Sequence, residues 1–113
     1  MTCVTAAELD RTFAALSDPT RRAILDRLTE REASLSELAK GFPVSIQAVA
    51  KHLKVLEEAG LVSRGREGQL RPARIVGAPL REAAEWIERY RPFWRARFQR
   101  LDRRLAAKRG SDA

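Results

Sequence analysis

The side chains best suited to chemistry in this 113-residue sequence are amide and basic groups that share one side of a predicted helix. On a helical wheel of residues 45–59, Gln47, Lys51 and Lys54 lie together, with Ala48 and His52 on the two flanks. Lys donates hydrogen bonds from a positive charge, and the two-pronged amide of Gln matches the edge of adenine. This set is suited to binding an acidic, hydrogen-bonding surface rather than to breaking bonds.

A second basic group follows at a predicted hairpin tip. It comprises Arg64, Arg66, Arg71 and Arg74, and the glycines between them favour a flexible loop. Arginines there are suited to phosphate or minor-groove contact, although an ordinary solvated loop has the same composition. The net charge of +7 is concentrated in residues 61–113, which hold 14 Lys or Arg against 6 Asp or Glu. A polyanionic partner or a solvated basic surface would both account for it.

Several classes of protein are excluded by what the sequence lacks. One cysteine (Cys3) and one histidine (His52) cannot form an internal disulfide or a closed metal site within one chain. Gly65-Arg66-Glu67-Gly68 lacks the Gly-Lys-Ser/Thr continuation of a phosphate loop, and no Ser/His/Asp set is present. We therefore expect no enzyme, catalytic residue, cofactor or metal. Neither a membrane span nor a signal peptide is recognisable, so we expect a cytoplasmic protein.

The elements that must position these groups are short and amphipathic. Apolar spacing predicts helices over residues 8–16, 19–29, 36–40 and 45–59, with Asp18-Pro19 opening the second and Gly60 ending the fourth as a left-handed C-cap. Residues 61–64 and 73–76 are β-prone and predict a hairpin. The fold class is therefore mainly α with a small β-hairpin, in the order of a winged helix-turn-helix.

A long C-terminal helix is predicted over residues 79–108, kinked but not ended by Pro92. Two apolar stripes run along it: Leu80, Ala84, Ile87, Trp94, Phe98, Leu101 and Leu105, interrupted by Arg91, and beside them Ala83, Trp86, Tyr90 and Phe93. So wide an apolar face on a monomer predicts a self-complementary dimer interface, with a small apolar ligand between long helices as the alternative. We expect one domain over residues 8–108 and frayed termini at 1–7 and 109–113.

Three segments of the sequence resemble the ArsR family of winged helix-turn-helix repressors. They are residues 16–25, which begin Leu16-Ser17-Asp18-Pro19-Thr20-Arg21-Arg22, residues 35–39, and residues 48–62, which include Lys51-His52-Leu53-Lys54-Val55-Leu56. The resemblance covers about residues 8–105. It implies a homodimer joined through its first and last helices and bound to double-stranded operator DNA. It also implies that Ser45, Gln47, Ala48, Lys51 and His52 face the major groove, and that Arg64–Arg74 form the wing. The expected dimer interface comprises Leu9, Phe13, Leu80, Ala84, Ile87, Tyr90, Trp94, Phe98 and Leu101.

Departures from the family pattern indicate a metal-free subset. Metal-sensing members carry paired thiols where this chain has Ser34-Leu35-Ser36, or histidines on the last helix, which has none. Relatives with an ending like Phe93-Trp94 often repress their own operon. We expect an autoregulatory repressor that binds an inverted repeat, with an unknown effector; the alternative is a protein-interaction module without specific DNA binding. Cys3 is expected to be an incidental thiol or to form an intermolecular disulfide.

The roles of Arg21 and Arg22 stay open at this point. Both lie at the start of the predicted second helix, where their side chains could contact phosphate. They could equally be solvated, or be paired with Asp18 or Asp26.

Overall fold

A computed structural model describes the backbone of residues 5–65 and 71–111 and the side chains of residues 5–65 and 71–106. The chain divides into two compact units, Met1–Ala83 and Ala84–Ala113. The elements are α1 (Ala6–Leu16), α2 (Pro19–Glu30), α3 (Leu35–Lys40), α4 (Ile46–Glu58), β1 (Val62–Arg64), β2 (Ala73–Ile75), α5 (Gly77–Glu88) and α6 (Arg91–Ser111). This order confirms the predicted winged helix-turn-helix fold.

Each of the first four helices begins at a polar side chain that accepts a hydrogen bond from a backbone N–H three residues further on. The four caps are Thr5, Asp18, Ser34 and Ser45, with donor–acceptor distances of 3.0–3.2 Å. Such caps supply partners for N–H groups that have none inside the helix. At Ser34 the cap is reciprocal, because the Glu37 carboxylate accepts from the Ser34 N–H at 3.3 Å. These local bonds set where the helices begin.

The core of the first unit is centred on one side of α4. Val49, Leu53 and Leu56 are at most 1% exposed and belong to a cluster with apolar side chains of α2, α3, β1 and β2: Ile24, Leu25, Leu28, Leu38, Val62 and Ala73. The apolar spacing of this helix predicts that Ile46 shares the buried side, and that prediction is wrong. Ile46 is the first residue of α4 and is 43% exposed.

Gly60 makes the turn from α4 into the hairpin. Its φ of +78° is the left-handed conformation that residues with a Cβ disfavour. The Leu61 N–H donates to the Leu56 carbonyl and the Gly60 N–H to the Glu57 carbonyl, both at 2.9 Å. These two bonds form a Schellman motif, so the predicted C-cap is confirmed.

The hairpin is a two-stranded antiparallel sheet in which Val62 pairs with Ile75 and Arg64 with Ala73. A residue between α2 and α3 extends it: Ala33 donates to the Ala73 carbonyl at 3.1 Å and accepts from the Ala73 N–H at 2.7 Å. No alternating pattern surrounds Ala33, so the sequence did not predict this bridge. It ties the base of the wing to the start of the helix-turn-helix.

In the second unit the prediction of one kinked helix is wrong, because α5 ends at Glu88 and α6 begins at Arg91. Pro92 has no N–H to donate to the Glu88 carbonyl, and its ring excludes helical continuation there. As the second residue of α6, Pro92 costs no intrahelical bond. Arg91 donates to the Glu88 carboxylate from Nη2 at 2.9 Å across the break. In the described part of the chain, no helix is both long and apolar enough to cross a membrane.

Truncating the buried side of α4 should destabilise the fold. Leu53→Ala removes a side chain that is 1% exposed, and we expect the free energy of unfolding to fall by about 2–5 kcal/mol in a urea titration. Val55→Ala is the matched control: Val55 lies on the same helix, is 38% exposed and should change stability by about 0.5 kcal/mol or less. Equal losses in the two variants would contradict the assigned orientation of α4.

Candidate nucleic-acid interface

The exposed side of α4 carries the polar side chains that the sequence singled out. Gln47, Lys51 and Lys54 are exposed, and Ala48 is half-buried beside them. They lie opposite Val49 and its buried neighbours, so packing of the apolar side fixes the direction of the polar side. The helix that precedes α4 packs against it, as in other helix-turn-helix pairs. A helix held in this way can present its N-terminal half to a DNA groove.

The N-terminal end of α4 combines a cap with exposed apolar residues. The Ser45 hydroxyl accepts from the Ala48 N–H at 3.1 Å, which leaves its O–H free to donate to a phosphate beside the positive end of the helix dipole. Val44 and Ile46 flank it and are exposed. Apolar side chains at this position can contact the methyl group of thymine. Sequence reasoning missed both, because an apolar residue at a helix start resembles a core position.

His52 is half-buried and faces the junction of α1 and α2 rather than solvent alone. Its Nδ1 lies 3.4 Å from Nη1 of Arg21 and 3.8 Å from Oδ2 of Asp18. Asp18 is the cap of α2, and Arg21 is the residue whose backbone N–H that cap accepts. Helix α4 is therefore linked by polar contacts to the start of α2. Residues 31 positions apart make this contact, which no local sequence pattern reveals.

Arg21 and Arg22 bond to the last carbonyls of α1. Nε of Arg21 donates to the Ala15 carbonyl at 2.7 Å and Nη2 to that of Ala14 at 3.1 Å, while Nη1 of Arg22 donates to Leu16 at 2.7 Å. A helix leaves its final carbonyls without internal partners and has a negative C-terminal end. Two guanidinium groups satisfy both needs here. No local sequence pattern predicts this role, because the donor and acceptor residues lie on different helices.

Two capping carboxylates have lowered pKa values. The backbone N–H of Arg21 holds the pKa of Asp18 below its ordinary value of 3.8, with further lowering by the charges of His52 and Arg21. The backbone and hydroxyl of Ser34 likewise lower the pKa of Glu37 below 4.5. Hydrogen bonds to the charged form are the main cause in each case, since they favour the carboxylate over the acid.

The hairpin arginines do not all extend into solvent. Nη2 of Arg64 donates to the Arg71 carbonyl at 3.2 Å, and Nε of Arg74 donates to the Ser63 hydroxyl at 3.0 Å. Arg71 is exposed, with Nε 3.3 Å from the Gly65 carbonyl. The fourth predicted wing residue, Arg66, lies outside the described residues. Among the described arginines of the hairpin, Arg71 and Arg74 are exposed, whereas Nε of Arg64 is buried without a hydrogen-bond partner.

The residues expected at a dimer interface differ in exposure between the two units. In the first unit, Leu9, Phe13 and Leu80 are half-buried. In the second, Trp94 is half-buried, and the remaining apolar residues are exposed: Ala84, Ile87, Tyr90, Phe98 and Leu101. In the second unit, Trp86 and Tyr90 make an edge-to-face contact with ring centroids 5.4 Å apart.

A polar cleft of about 310 Å³ opens in the first unit. Its charged lining consists of Glu8, Arg11, Glu58 and Glu82. Among the described residues, no group of three or more His, Cys, Asp or Glu has the geometry of a metal site.

Comparison with known proteins identifies what this arrangement resembles. Residues 16–64 match a family model described as a helix-turn-helix domain. The chain is 47% identical to YuzN of Bacillus subtilis, an HTH-type transcriptional regulator that is itself uncharacterized, over 70% of this chain and 95% of that protein. It is 32% identical to SdpR of Bacillus subtilis, named a transcriptional repressor, over 70% of this chain and 88% of that protein.

A solved structure has a similar fold. An ArsR-like transcriptional regulator from Rhodococcus sp. RHA1 matches with a TM-score of 0.68 and 44% identity. The match covers 92% of each chain. It therefore includes the wing and helices that follow the region matched by the family model.

Acid should destabilise the protein through the two capping carboxylates. Because the pKa of each is lowered by folding, its contribution is complete above the ordinary value, 3.8 for Asp18 and 4.5 for Glu37. That contribution is lost as pH falls through the lower folded-state value. We expect the free energy of unfolding, measured by urea titration at a series of pH values, to decrease over this interval.

Asp18→Asn tests the origin of that decrease. Asn is as good a helix cap as Asp but does not titrate, so the acid loss should become less steep. Asp26→Asn, which removes an exposed carboxylate of α2 that caps no helix, is the control. An equal effect of both variants would show that the cap is not the cause.

Proposed function

Since the chain belongs to the ArsR family of winged helix-turn-helix transcriptional regulators, which bind double-stranded DNA, we propose that it is a homodimeric repressor of an inverted-repeat operator. The observation that carries the proposal is the position of Gln47 and Lys51. Both are exposed on the side of α4 opposite its buried apolar residues. Side chains on that side can reach base edges in a major groove.

The polar side chains of α4 would contact different parts of the DNA. Gln47 suits adenine through its amide, and Lys51 suits the acceptors of guanine. Lys54, one turn further from the helix start, and Ser45, at the cap, suit phosphate oxygens. Ala48 leaves room for a base edge to approach, and His52 can add one hydrogen bond at the flank. We therefore assign base recognition to Gln47 and Lys51 and orientation on the backbone to the others.

The hairpin would bind the adjacent backbone. Arg71 and Arg74 are exposed, and Arg64 retains donors beyond its bond to Arg71. We include Arg66 on the strength of its place in the sequence. Contacts of this kind strengthen binding to any duplex and make it salt-dependent, but they carry little sequence information.

We propose that the dimer forms through α1, α5 and α6, with residues 8–108 acting as one DNA-binding and dimerisation domain. Support comes from apolar side chains on α6 that are 45–62% exposed: Phe93, Phe98, Leu101 and Leu105. Exposed apolar surface of this kind is typical of an interface. A two-fold dimer places two recognition helices on successive major grooves, about 34–36 Å apart, and requires a palindromic site.

Repression is proposed by analogy with SdpR, which is named a repressor. A dimer on an operator that overlaps a promoter would block transcription sterically, and an operator before its own gene would make it autoregulatory. We propose that the protein binds DNA without a metal ion. Ser34 carries no thiol, and its hydroxyl caps α3 by accepting a hydrogen bond from the Glu37 N–H. A protein-interaction module remains the second candidate; it would not need the basic side of α4.

Lys51→Ala should weaken binding to the operator by about 1–3 kcal/mol and relax the preference at one base position. The operator comes from selection of the purified protein on a random duplex library at about 0.15 M salt, a physiological ionic strength. Affinities are then measured by fluorescence anisotropy on the selected site and its single-base variants. Arg31→Ala, at the C-terminal end of α2 and outside the proposed DNA surface, is the control for loss of one positive charge.

Replacing Arg71 and Arg74 by Ala should weaken DNA binding without changing the sequence preference. Affinity should fall by the same factor on every sequence, and the slope of log affinity against log salt should decrease by about 1 for each phosphate that is no longer neutralised. If Lys51→Ala also weakens every sequence equally, the recognition role of α4 is wrong. Selection of no inverted repeat would favour the interaction module.

Phe98→Glu should convert the dimer to monomer, because it places a charge in the proposed apolar interface. Ala96→Glu is the matched control, an equally acidic change at an exposed position on the opposite side of α6. Sedimentation velocity measures the state of each variant. A wild-type monomer at micromolar concentration, or equal effects of the two variants, would overturn the interface.

A further inference from the structure

His52 occupies a position between two opposing partners. Its Nδ1 lies 3.4 Å from a nitrogen of Arg21, which can only donate, and 3.8 Å from an oxygen of Asp18, which as a carboxylate can only accept. The two partners therefore demand different forms of the ring. Arg21 requires a lone pair on Nδ1, whereas Asp18 would be satisfied by a proton there. The distances favour Arg21, because 3.8 Å is beyond hydrogen-bond range.

Arg21 is held in place for this contact. Two of its other nitrogens are bound to the carbonyls of Ala15 and Ala14, at 2.7 and 3.1 Å. The guanidinium is planar, so these two bonds also fix the direction of the nitrogen that faces His52. His52 has 23% of its side chain exposed, so part of the ring is open to solvent.

We propose that Arg21 is a positioning residue for DNA binding, which holds His52 as the neutral tautomer with its proton on Nε2. His52 then offers one N–H donor on the ring edge that faces away from Arg21. The ligand that this donor fits is an acceptor of DNA, either a phosphate oxygen or N7 or O6 of a purine. The inference rests on the proposed function and adds to it a residue that need not touch DNA.

Loss of Arg21 has a defined chemical consequence. With the donor gone, the Asp18 carboxylate, 3.8 Å from Nδ1, still faces His52 from outside α4, and Lys51 is its neighbour in sequence on α4. A proton on Nδ1 then becomes favourable. Nε2 becomes an acceptor, which repels the acceptor atoms of DNA instead of binding them. The tautomer and the affinity for DNA should therefore change together.

The first experiment reads the tautomer without DNA. His52 is the one histidine of the sequence, so ¹⁵N-histidine labelling gives a single ring to observe by NMR in mildly alkaline buffer. We expect Nε2 to be protonated in the wild type and Arg21→Met to move protonation toward Nδ1. Arg22→Met is the matched control, since Arg22 binds an α1 carbonyl but does not contact His52. Protonated Nδ1 in the wild type, or no change in Arg21→Met, overturns the proposal.

The second experiment measures affinity for the selected operator and for a random duplex. Arg21→Met should weaken operator binding by about three- to tenfold, the loss of one hydrogen bond, while Arg22→Met has a smaller effect. In a His52→Ala background, Arg21→Met should add no further loss. An additional loss of the same size means that Arg21 acts independently of His52, and it overturns the proposal. Thermal unfolding of each variant identifies any that do not fold; the wild-type tautomer still tests the proposal in that case.

The two duplexes distinguish the atom that His52 meets. A loss on operator and random DNA alike identifies a phosphate, and a loss confined to the operator identifies a base. If the wild type binds no DNA, the proposed function fails and the DNA role of His52 fails with it, while the tautomer measurement still reports on Arg21. If DNA binds and His52→Ala binds as tightly as the wild type, only the present inference is wrong.

Discussion

Burial of one side of α4 is the constraint on which the rest of the structure depends. Val49, Leu53 and Leu56 meet apolar side chains from α2, α3 and the hairpin, so a rotation of this helix would expose the core to water. Because helical positions are fixed relative to one another, the same packing directs Gln47 and Lys51 outward. Under the proposed function, stability and recognition are properties of two sides of one helix. A side chain changed on the outer side can alter the DNA read without disturbing the fold.

Positive charge serves two purposes in this protein, and its amount alone does not separate them. Arg21 and Arg22 donate to carbonyls at the end of α1, where they offset the negative end of a helix. Arg71 and Arg74 are exposed on the hairpin, and each donates one hydrogen bond within it, to the Gly65 carbonyl and the Ser63 hydroxyl. A count of basic residues gives both pairs equal weight for nucleic-acid binding. The hydrogen bonds show that the first pair is committed to the structure before any partner arrives.

Most of the fold followed from local rules. Helix starts were predictable because Asp18 and Ser45 supply acceptors that a helix start requires, and Gly60 marks a turn that other residues disfavour. What failed depends on geometry that periodicity does not encode. The apolar stripe continues in phase across Pro92, so it predicted one helix, whereas the missing N–H at Pro92 separates two. The bridge at Ala33 and the exposure of Ile46 are tertiary effects.

The candidate site also combines residues that the sequence predicts with contacts that it does not. Gln47 and Lys51 were found because a helical wheel needs only the sequence, but the surroundings of His52 needed a contact between residues 31 positions apart. A histidine beside DNA can donate or accept, and its neighbours decide which. In this chain the neighbours are a fixed guanidinium and a capping carboxylate, both at the start of α2. Arg21 and Asp18, which lie where α1 meets α2, are therefore also the residues that contact His52 of α4. Under the proposed function, mutations at this junction should affect DNA binding as well as stability.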